Sequence, residues 1–198
     1  PCVVIYEKGY LKYENYFVAT NATGDKSSGN GYVLTAANDG VMSVTYANAI
    51  VAEQSNFVFR CFGGICNYTQ AVVTITDAAN ADNAVQAVFR QVDGKVWFFV
   101  GGKSYRTDYS FVGKSFDISL GFENGAFVYD GEAFAPVETV IGDKFTGFDS
   151  DKVYLSFELT DAKEGDKFSV MSIRKYKFEG QDEDLVRPYI VINGEVAS

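Results

Sequence analysis

Short segments of alternating apolar and polar residues recur along most of the chain. In residues 153–159 every second residue is apolar, and residues 168–176 also alternate over much of their length, which is the period of a strand with one buried face. Residues 72–76 are β-branched throughout, which also favours a strand. The pattern predicts many short strands and essentially no helix.

Five dipeptides with turn chemistry separate these segments: Asp39-Gly40, Asp93-Gly94, Asn124-Gly125, Asp130-Gly131 and Asn193-Gly194. Asn-Gly and Asp-Gly accept the positive φ angles of tight hairpin turns. The clearest predicted hairpin spans residues 85–100, and a second spans residues 116–129. Many strands joined by such turns predict an all-β fold, a two-sheet antiparallel β-sandwich of the jelly-roll type.

The predicted sandwich domain covers residues 1–180. Residues 181–198 are predicted to be a C-terminal tail or linker toward a following domain, because residues 180–184 are acidic and polar. At the N-terminus, residues 3–5 and 17–18 favour two strands with a turn near residues 7–9. The helical spacing of four tyrosines competes with that interpretation, and these are Tyr6, Tyr10, Tyr13 and Tyr16.

Three segments together resemble the concanavalin A-like, laminin-G-like jelly-roll modules of bacterial multidomain surface proteins. They are residues 77–101, 114–129 and 151–176, and the resemblance covers roughly residues 28–178 in strand spacing and turn placement. It implies a thin sandwich with one concave sheet. Such modules bind glycans or proteins on the concave face or rim, sometimes with calcium, although a fold alone does not fix a function.

The charge balance limits the classes of partner. The 198 residues include 26 acidic and 17 basic side chains, a formal net charge of −9. This field repels phosphate, so we expect neither nucleic acid nor an anionic membrane surface as a partner. No segment approaches the roughly 20 apolar residues that span a bilayer. Because the chain begins at Pro1 without Met, we expect a piece of a longer secreted or cell-surface protein.

The chain contains no histidine, which removes Ser-His-Asp and Cys-His nucleophilic sites and histidine-based zinc sites. Glycoside hydrolysis needs only two carboxylates. The nearest sequence to the Glu-x-Asp-x-x-Glu pattern of jelly-roll glycosidases begins at Glu164 and Asp166, but Ser169 stands in place of the last carboxylate. The same segment is typical of a solvated turn, so we predict no catalysis and keep a glycosidase or lyase as an alternative.

One cluster of oxygen-bearing side chains suggests a calcium site. Asp77, Asn80, Asp82 and Asn83 lie within seven positions, and main-chain carbonyls of the same loop would complete a coordination shell. The spacing differs from that of an EF-hand. Asp and Asn are also ordinary turn residues, so an ion-free turn is the alternative.

The predicted ligand-binding residues are Trp97, Tyr105, Arg106, Asp108 and Tyr109. Planar aromatic rings framed by polar side chains are typical of sugar recognition. Trp97 is the only tryptophan and alternates with Phe99 on one face of its strand. Tyr105 and Tyr109 flank the polar residues between them, and the alternative for each aromatic is packing in the core.

Cys61 and Cys66 bracket a Gly-Gly pair, and a tight turn there would bring the two side chains close enough for a disulfide. Two unbonded thiols on a loop are the alternative. Cys2 has no evident partner in the sequence.

The leading hypothesis is a non-catalytic extracellular module that binds carbohydrate. A structural spacer or protein-binding domain of a cell-surface adhesin is the alternative, and a jelly-roll glycosidase or lyase is the second. The expected partner is a glycan or a surface protein, together with neighbouring domains of a longer chain.

Overall fold

The computed structural model describes most of the chain. The described residues are 2–6, 17–26, 32–46, 49–51, 56–63, 69–100, 103–121, 126–129, 138–139, 148–177, 181–186, 188–192 and 195–196. Most of them lie in strands, and no helix occurs in these ranges.

The strands form two large sheets and one small one. Sheet I contains β2 (Phe17–Thr20), β5 (Gly40–Tyr46), β6 (Ile50–Val51), β8 (Gln70–Asp77), β9 (Ala84–Arg90), β10 (Lys95–Val100), β11 (Lys103–Ser110) and β15 (Lys152–Ala162). Sheet II contains β3 (Ala22–Lys26), β4 (Tyr32–Ala36), β7 (Asn56–Phe62), β12 (Ser115–Gly121), β13 (Ala126–Tyr129), β14 (Glu138–Thr139), β16 (Lys167–Lys177) and β17 (Gln181–Val186). Sheet III contains β1 (Cys2–Tyr6), β18 (Pro188–Ile192) and β19 (Glu195–Val196).

Strand order shows how the chain builds the sandwich. Sheet I has the order β11-β10-β9-β8-β15-β5-β2, and sheet II has the order β14-β13-β12-β7-β16-β4-β3. The long strands β15 and β16 follow one another in sequence but lie in different sheets, each between strands from earlier in the chain. All strand pairs in the described residues are antiparallel. The predicted all-β, two-sheet antiparallel sandwich is confirmed.

An aromatic cluster joins sheets I and II. Phe89 of β9 is fully buried, and its ring centroid lies 5.3–5.6 Å from those of Phe111, Phe116 and Phe168. Each buried phenylalanine contributes about 1.5–3 kcal/mol relative to an exposed one. The alternating apolar residues of each strand fill this layer, so the residues between them lie on the outer faces of the sheets.

The predicted turns have different roles in the fold. Paired strands flank Asp93-Gly94, Asn124-Gly125 and Asn193-Gly194, as hairpins require. The prediction for Asp39-Gly40 is wrong, because β4 before it belongs to sheet II and β5 after it belongs to sheet I. Gly40 has φ +124°, which glycine adopts readily, and its dipeptide lies where the chain passes from one sheet to the other. Asp130-Gly131 lies outside the described residues.

The two ends of the chain are also built from strands. The predicted N-terminal strands appear as β1 and β2, and the turn predicted between them lies outside the described residues. The first part of the predicted tail is β17, which pairs with β16 in sheet II. Further along, β18 pairs with β1 in sheet III. Residues 181–186 and 188–192 therefore belong to sheets, and the domain boundary near residue 180 stays a prediction.

One row of residues on the outer face of sheet I positions the candidate site. Strand register places the following residues side by side from the β11 edge inward: Arg106, Trp97, Val88, Val72, Glu158, Ser43 and Thr20. The row is aromatic and charged at the β11 edge and aliphatic at its centre. Val88 is only 2% exposed, so the centre of this face is covered on its outer side.

Candidate functional site

The turn between β9 and β10 contains four residues, 91–94, because Arg90 pairs directly with Lys95. The Gly94 amide donates to the Arg90 carbonyl at 2.9 Å, and Gly94 has φ +66°. Asp93 does not have a positive φ, so the predicted two-residue type I′ turn is wrong. Asp93 instead accepts the Lys95 amide through Oδ1 at 2.9 Å, an Asx-type bond that fixes the carboxylate beside β10.

The second carboxylate oxygen of Asp93 accepts hydrogen bonds from two of the predicted ligand-binding side chains. Trp97 Nε1 donates to Asp93 Oδ2 at 2.9 Å, and Arg106 Nε donates to the same oxygen at 3.4 Å. Trp97 and Arg106 are cross-strand neighbours, so the Asp93 carboxylate bonds two side chains that strand pairing already places side by side. The half-buried indole is thereby fixed in orientation on the outer face.

Ionised Asp93 suits this role. Its partial burial raises the carboxyl pKa, but hydrogen bonds from the Lys95 amide, Trp97 and Arg106, with the Arg106 charge, outweigh the burial and lower the pKa below its ordinary value. The carboxylate is therefore charged at neutral pH, and its bonds to the two side chains are the stronger, charge-assisted kind.

A bulge in β11 presents Asp108. Between the pairs Lys95–Ser110 and Trp97–Arg106, β11 has three residues where β10 has one. Arg106 Nη1 donates to Asp108 Oδ1 at 3.3 Å, and the Asp108 side chain is 88% exposed. Lys95 Nζ donates to the Asp108 carbonyl at 2.7 Å and so anchors the bulge. Bulges commonly redirect side chains in this way beside functional sites.

Arg90 lies over the aromatic residues of β10. The central carbon of its guanidinium is 4.3 Å from the Trp97 ring centroid and 5.5 Å from that of Phe99. Both rings lie on the outer face, while Phe98 and Val100 are buried in the core, so the predicted alternation along β10 is confirmed. These distances are in the range of a cation–π contact.

The structure places the five predicted ligand residues on two sides of sheet I. Trp97, Arg106 and Asp108 share the outer face. Tyr105 pairs with buried Phe98, and Tyr109 is buried with its ring edge-on to Phe116 at 5.8 Å between centroids. Both tyrosines face the core because they occupy inward positions of β11, one before outward Arg106 and the other after outward Asp108. The burial of Tyr109 contradicts its predicted place on a binding surface, whereas the predicted role of half-buried Tyr105 stays a prediction.

Two residues beside Trp97 were not predicted to bind a ligand. Asp93 was interpreted only as a turn residue, and Arg90 was part of a strand with no assigned role. The useful signal was proximity across the hairpin, because the short turn sets Arg90 opposite Lys95, two residues before Trp97, and Asp93 lies four residues before Trp97.

The predicted calcium ligand Asp77 is buried, with 1% of its surface exposed. Its Oδ1 accepts the Ala79 amide at 2.9 Å, and its Oδ2 accepts the Asp149 amide at 2.6 Å and Asn83 Nδ2 at 3.5 Å. Burial alone raises the Asp77 pKa, but these bonds and one from the Ser150 amide lower it overall. Both oxygens thus serve to join the β8–β9 loop to the segment before β15.

The other predicted calcium ligands belong to the same loop. Asn80 Oδ1 accepts the Asp82 amide at 3.1 Å, so Asn80 completes a turn, and Asp82 is exposed. Within the described ranges, no group of three or more Cys, Asp or Glu side chains is arranged to hold a metal ion. The described loop does not fit a calcium site, because N–H donors already occupy its central carboxylate.

Cys61 is a free, fully buried thiol in β7. Burial raises its pKa above the ordinary value, and the neighbouring charge of Asp117 raises it further. The side chain of Cys61 faces the core with Phe57 and Phe59, so the structure gives it no disulfide, contrary to the predicted bond with Cys66. Cys66 itself lies outside the described residues.

The broken glycosidase pattern is a turn. Glu164 is exposed, and its amide donates to Asp39 Oδ1 at 2.9 Å. Asp166 is buried, and its Oδ2 accepts the Lys163 amide at 2.8 Å. The Asp166 carboxylate therefore closes the turn between β15 and β16.

Comparison with known proteins identifies the fold. The chain matches the Ca²⁺-bound exoplasmic/lumenal domain of VIP36 with a TM-score of 0.60 and 9% identity, covering 91% of each chain. It matches peanut lectin bound to a nine-residue peptide with a TM-score of 0.53 and 12% identity, covering 98% of this chain and 100% of the lectin. The chain has the concanavalin A-like jelly-roll fold.

Another protein with a similar structure is the carbohydrate-binding module CBM66 of Bacillus subtilis. Its TM-score is 0.51 at 13% identity, with 81% of this chain and 95% of the module covered. No protein-family model matches the sequence, and no curated protein matches it. At these identities the similarity shows the concanavalin A-like fold and does not locate a binding site in this chain. Among the described residues, no helix is long and apolar enough to cross a membrane.

Proposed function

We propose that this chain is a non-catalytic carbohydrate-binding module of a secreted or cell-surface protein, and that the glycan docks around Trp97. The observation that carries the proposal is a half-buried indole fixed by Asp93, with Arg106 and Asp108 exposed beside it. We call these four residues, with Arg90, the Trp97 cluster.

The chemistry of the cluster matches that of sugars. The apolar face of a pyranose packs on an aromatic ring, and its hydroxyl groups need donors and acceptors at the ring edge. Arg106 offers donors, and Asp108 offers exposed acceptors. Because Asp93 already orders the indole, a ligand loses less free energy in ordering Trp97 on binding.

The fold comparisons support this choice of ligand without locating the site. CBM66 is named as a carbohydrate-binding module, and VIP36 was also solved with Ca²⁺ and Man3GlcNAc. A non-catalytic role is supported by the absence of histidine and by the use of Asp166 as a turn acceptor. Secretion or cell-surface display is the setting in which a glycan ligand would be met.

Calorimetry with glycans selected on an array tests the proposal. We expect Trp97→Ala to weaken binding by about tenfold or more, because it removes the stacking surface. Tyr154→Ala is the matched control, since Tyr154 is also half-buried on the outer face of sheet I but lies three strands from β10. Equal losses in both variants, or no binding by the parent chain, would count against the proposal.

A spacer or protein-binding domain is the second candidate. The observation that favours it is the aliphatic centre of the outer face, where Val88 and Val72 lie side by side and are almost fully buried. A spacer would bind no glycan, and its Trp97→Ala variant would differ from the parent only in stability.

A further inference from the structure

Two arginines lie beside Trp97, and they differ in their partners. Arg106 pairs with Asp93 at 3.4 Å and with Asp108 at 3.3 Å. Arg90 forms no ion pair with any carboxylate in the part of the chain that the structure describes. Its contacts there are with the rings of Trp97 and Phe99. Among the described residues, the cluster thus has one guanidinium paired with carboxylates and one without a carboxylate partner.

Stacking on the rings does not use the hydrogen-bonding edge of the half-buried Arg90 guanidinium. A guanidinium that packs on rings uses its π-face, while its five N–H donors project outward in the guanidinium plane. A planar fork of this kind matches the two oxygens of a carboxylate in bidentate geometry. The rings also fix the guanidinium in place, so less conformational freedom remains to be lost when an anion binds.

The local charge differs from that of the whole chain. The chain carries a net charge of −9, which disfavours acidic ligands over most of its surface. Around Trp97, however, three cations face two carboxylates, namely Arg90, Lys95 and Arg106 against Asp93 and Asp108. Both carboxylates are bonded to Arg106, so among the described residues the excess positive charge resides on Lys95 and Arg90, and of these two Arg90 is the one that lies over the aromatic rings.

We infer that the Trp97 cluster selects acidic glycans, and that Arg90 binds the carboxylate of a uronic acid residue whose ring stacks beside it. This inference rests on the proposed function and adds the ligand class. In this arrangement Trp97 and Phe99 hold the guanidinium, Arg90 supplies the bidentate contact, and Arg106 with Asp108 binds neutral hydroxyl groups.

Calorimetry on the full chain tests the selection with oligogalacturonate and its carboxyl-reduced, neutral counterpart. We expect the acidic oligomer to bind roughly tenfold more tightly, since a charge-assisted bidentate contact is lost on reduction. Arg90→Gln should bring that ratio to about one, chiefly by lowering the affinity for the acidic oligomer toward that for the neutral one. Lys152→Gln is the charge-matched control, because Lys152 is exposed on β15, three strands from β10, and should keep the ratio.

Arg90→Lys separates contact from long-range charge. Lysine keeps the charge but lacks the planar fork, so the preference should fall by most of its value. Full retention of the preference in Arg90→Lys would overturn the carboxylate contact. A sulfated derivative of the carboxyl-reduced oligomer serves as the other anionic probe. An affinity for it equal to that for the acidic oligomer would overturn selection of carboxylates.

The remaining outcomes separate the two proposals. If the neutral and acidic oligomers bind equally and both depend on Trp97, the glycan site stands and the acidic selection is wrong. If neither these oligomers nor any glycan on the array binds, both are wrong. Titrations followed by the fluorescence of Trp97, the only tryptophan, give an independent measure of contact at the cluster.

Discussion

Asp77 and Asp93 occupy turns at opposite ends of β9, and each accepts an amide two residues ahead at 2.9 Å. In both, hydrogen bonds outweigh burial and lower the carboxyl pKa. They differ in what the second oxygen binds. Asp77 Oδ2 accepts the Asp149 amide, 72 residues away, and the Asn83 side chain of its own loop, whereas Asp93 Oδ2 accepts two side chains of the outer face.

This difference separates a structural turn from a candidate binding turn. Backbone donors from two loops surround Asp77 and leave it 1% exposed, so its charge is used entirely within the fold. Asp93 is partly exposed, and its bonds organise side chains that still present free surface. The same residue type in the same local turn thus stabilises loops at one end and arranges a surface at the other.

Removal of the Asp77 carboxylate should have the largest effect on stability. Asp77→Ala removes a buried carboxylate that accepts the Ala79 and Asp149 amides, so we expect a loss of about 3 kcal/mol in the free energy of unfolding. Urea denaturation followed by circular dichroism measures it. Asp151→Ala is the control, since Asp151 is exposed near the same loop and should change stability by less than about 0.5 kcal/mol. Similar losses in the two variants would show that Asp77 does not join the loops.

Acid should weaken the Asp77 turn before it disrupts the core. Because the folded-state pKa of Asp77 is lowered, its contribution is complete above the unfolded-state value of about 3.9 and is lost as the pH falls through the lower folded-state value. Between about pH 5 and pH 2, the free energy of unfolding should therefore fall more steeply with decreasing pH in the parent than in Asp77→Ala. Parallel pH profiles would contradict an ionised, hydrogen-bonded Asp77.

The sequence predicted the fold because strand alternation and turn chemistry are local. It predicted that Trp97 and Phe99 share a face, which two-residue periodicity alone determines. The same periodicity, applied to β11, places Tyr105 and Tyr109 on the face opposite Arg106 and Asp108. The separation of these two pairs was therefore predictable. The bond from Asp149 to Asp77 was not predictable, because it depends on how β15 inserts beside β8.

A smaller effect on stability is expected at the other turn, with a clear effect on the indole. Asp93→Ala removes the acceptor of Trp97 Nε1, so we expect a loss of about 1 kcal/mol and a shift in tryptophan emission. Asp108→Ala is the control, because Asp108 bonds Arg106 and has no bond to the indole. Unchanged emission in Asp93→Ala, or an equal shift in Asp108→Ala, would remove the distinction between the two turns.

Calcium should have the smallest effect. VIP36 was solved with bound Ca²⁺, but at 9% identity it shares only the fold with this chain, and N–H donors already occupy both oxygens of Asp77. Any ion at this loop would have to displace those donors, and binding to the folded state alone would raise the melting temperature. We therefore expect about 5 mM CaCl₂ to shift it by less than about 1 °C, as measured by calorimetry against chelator-treated protein. A larger rise that Asp82→Asn abolishes would place calcium at this loop and make both turns ligand sites.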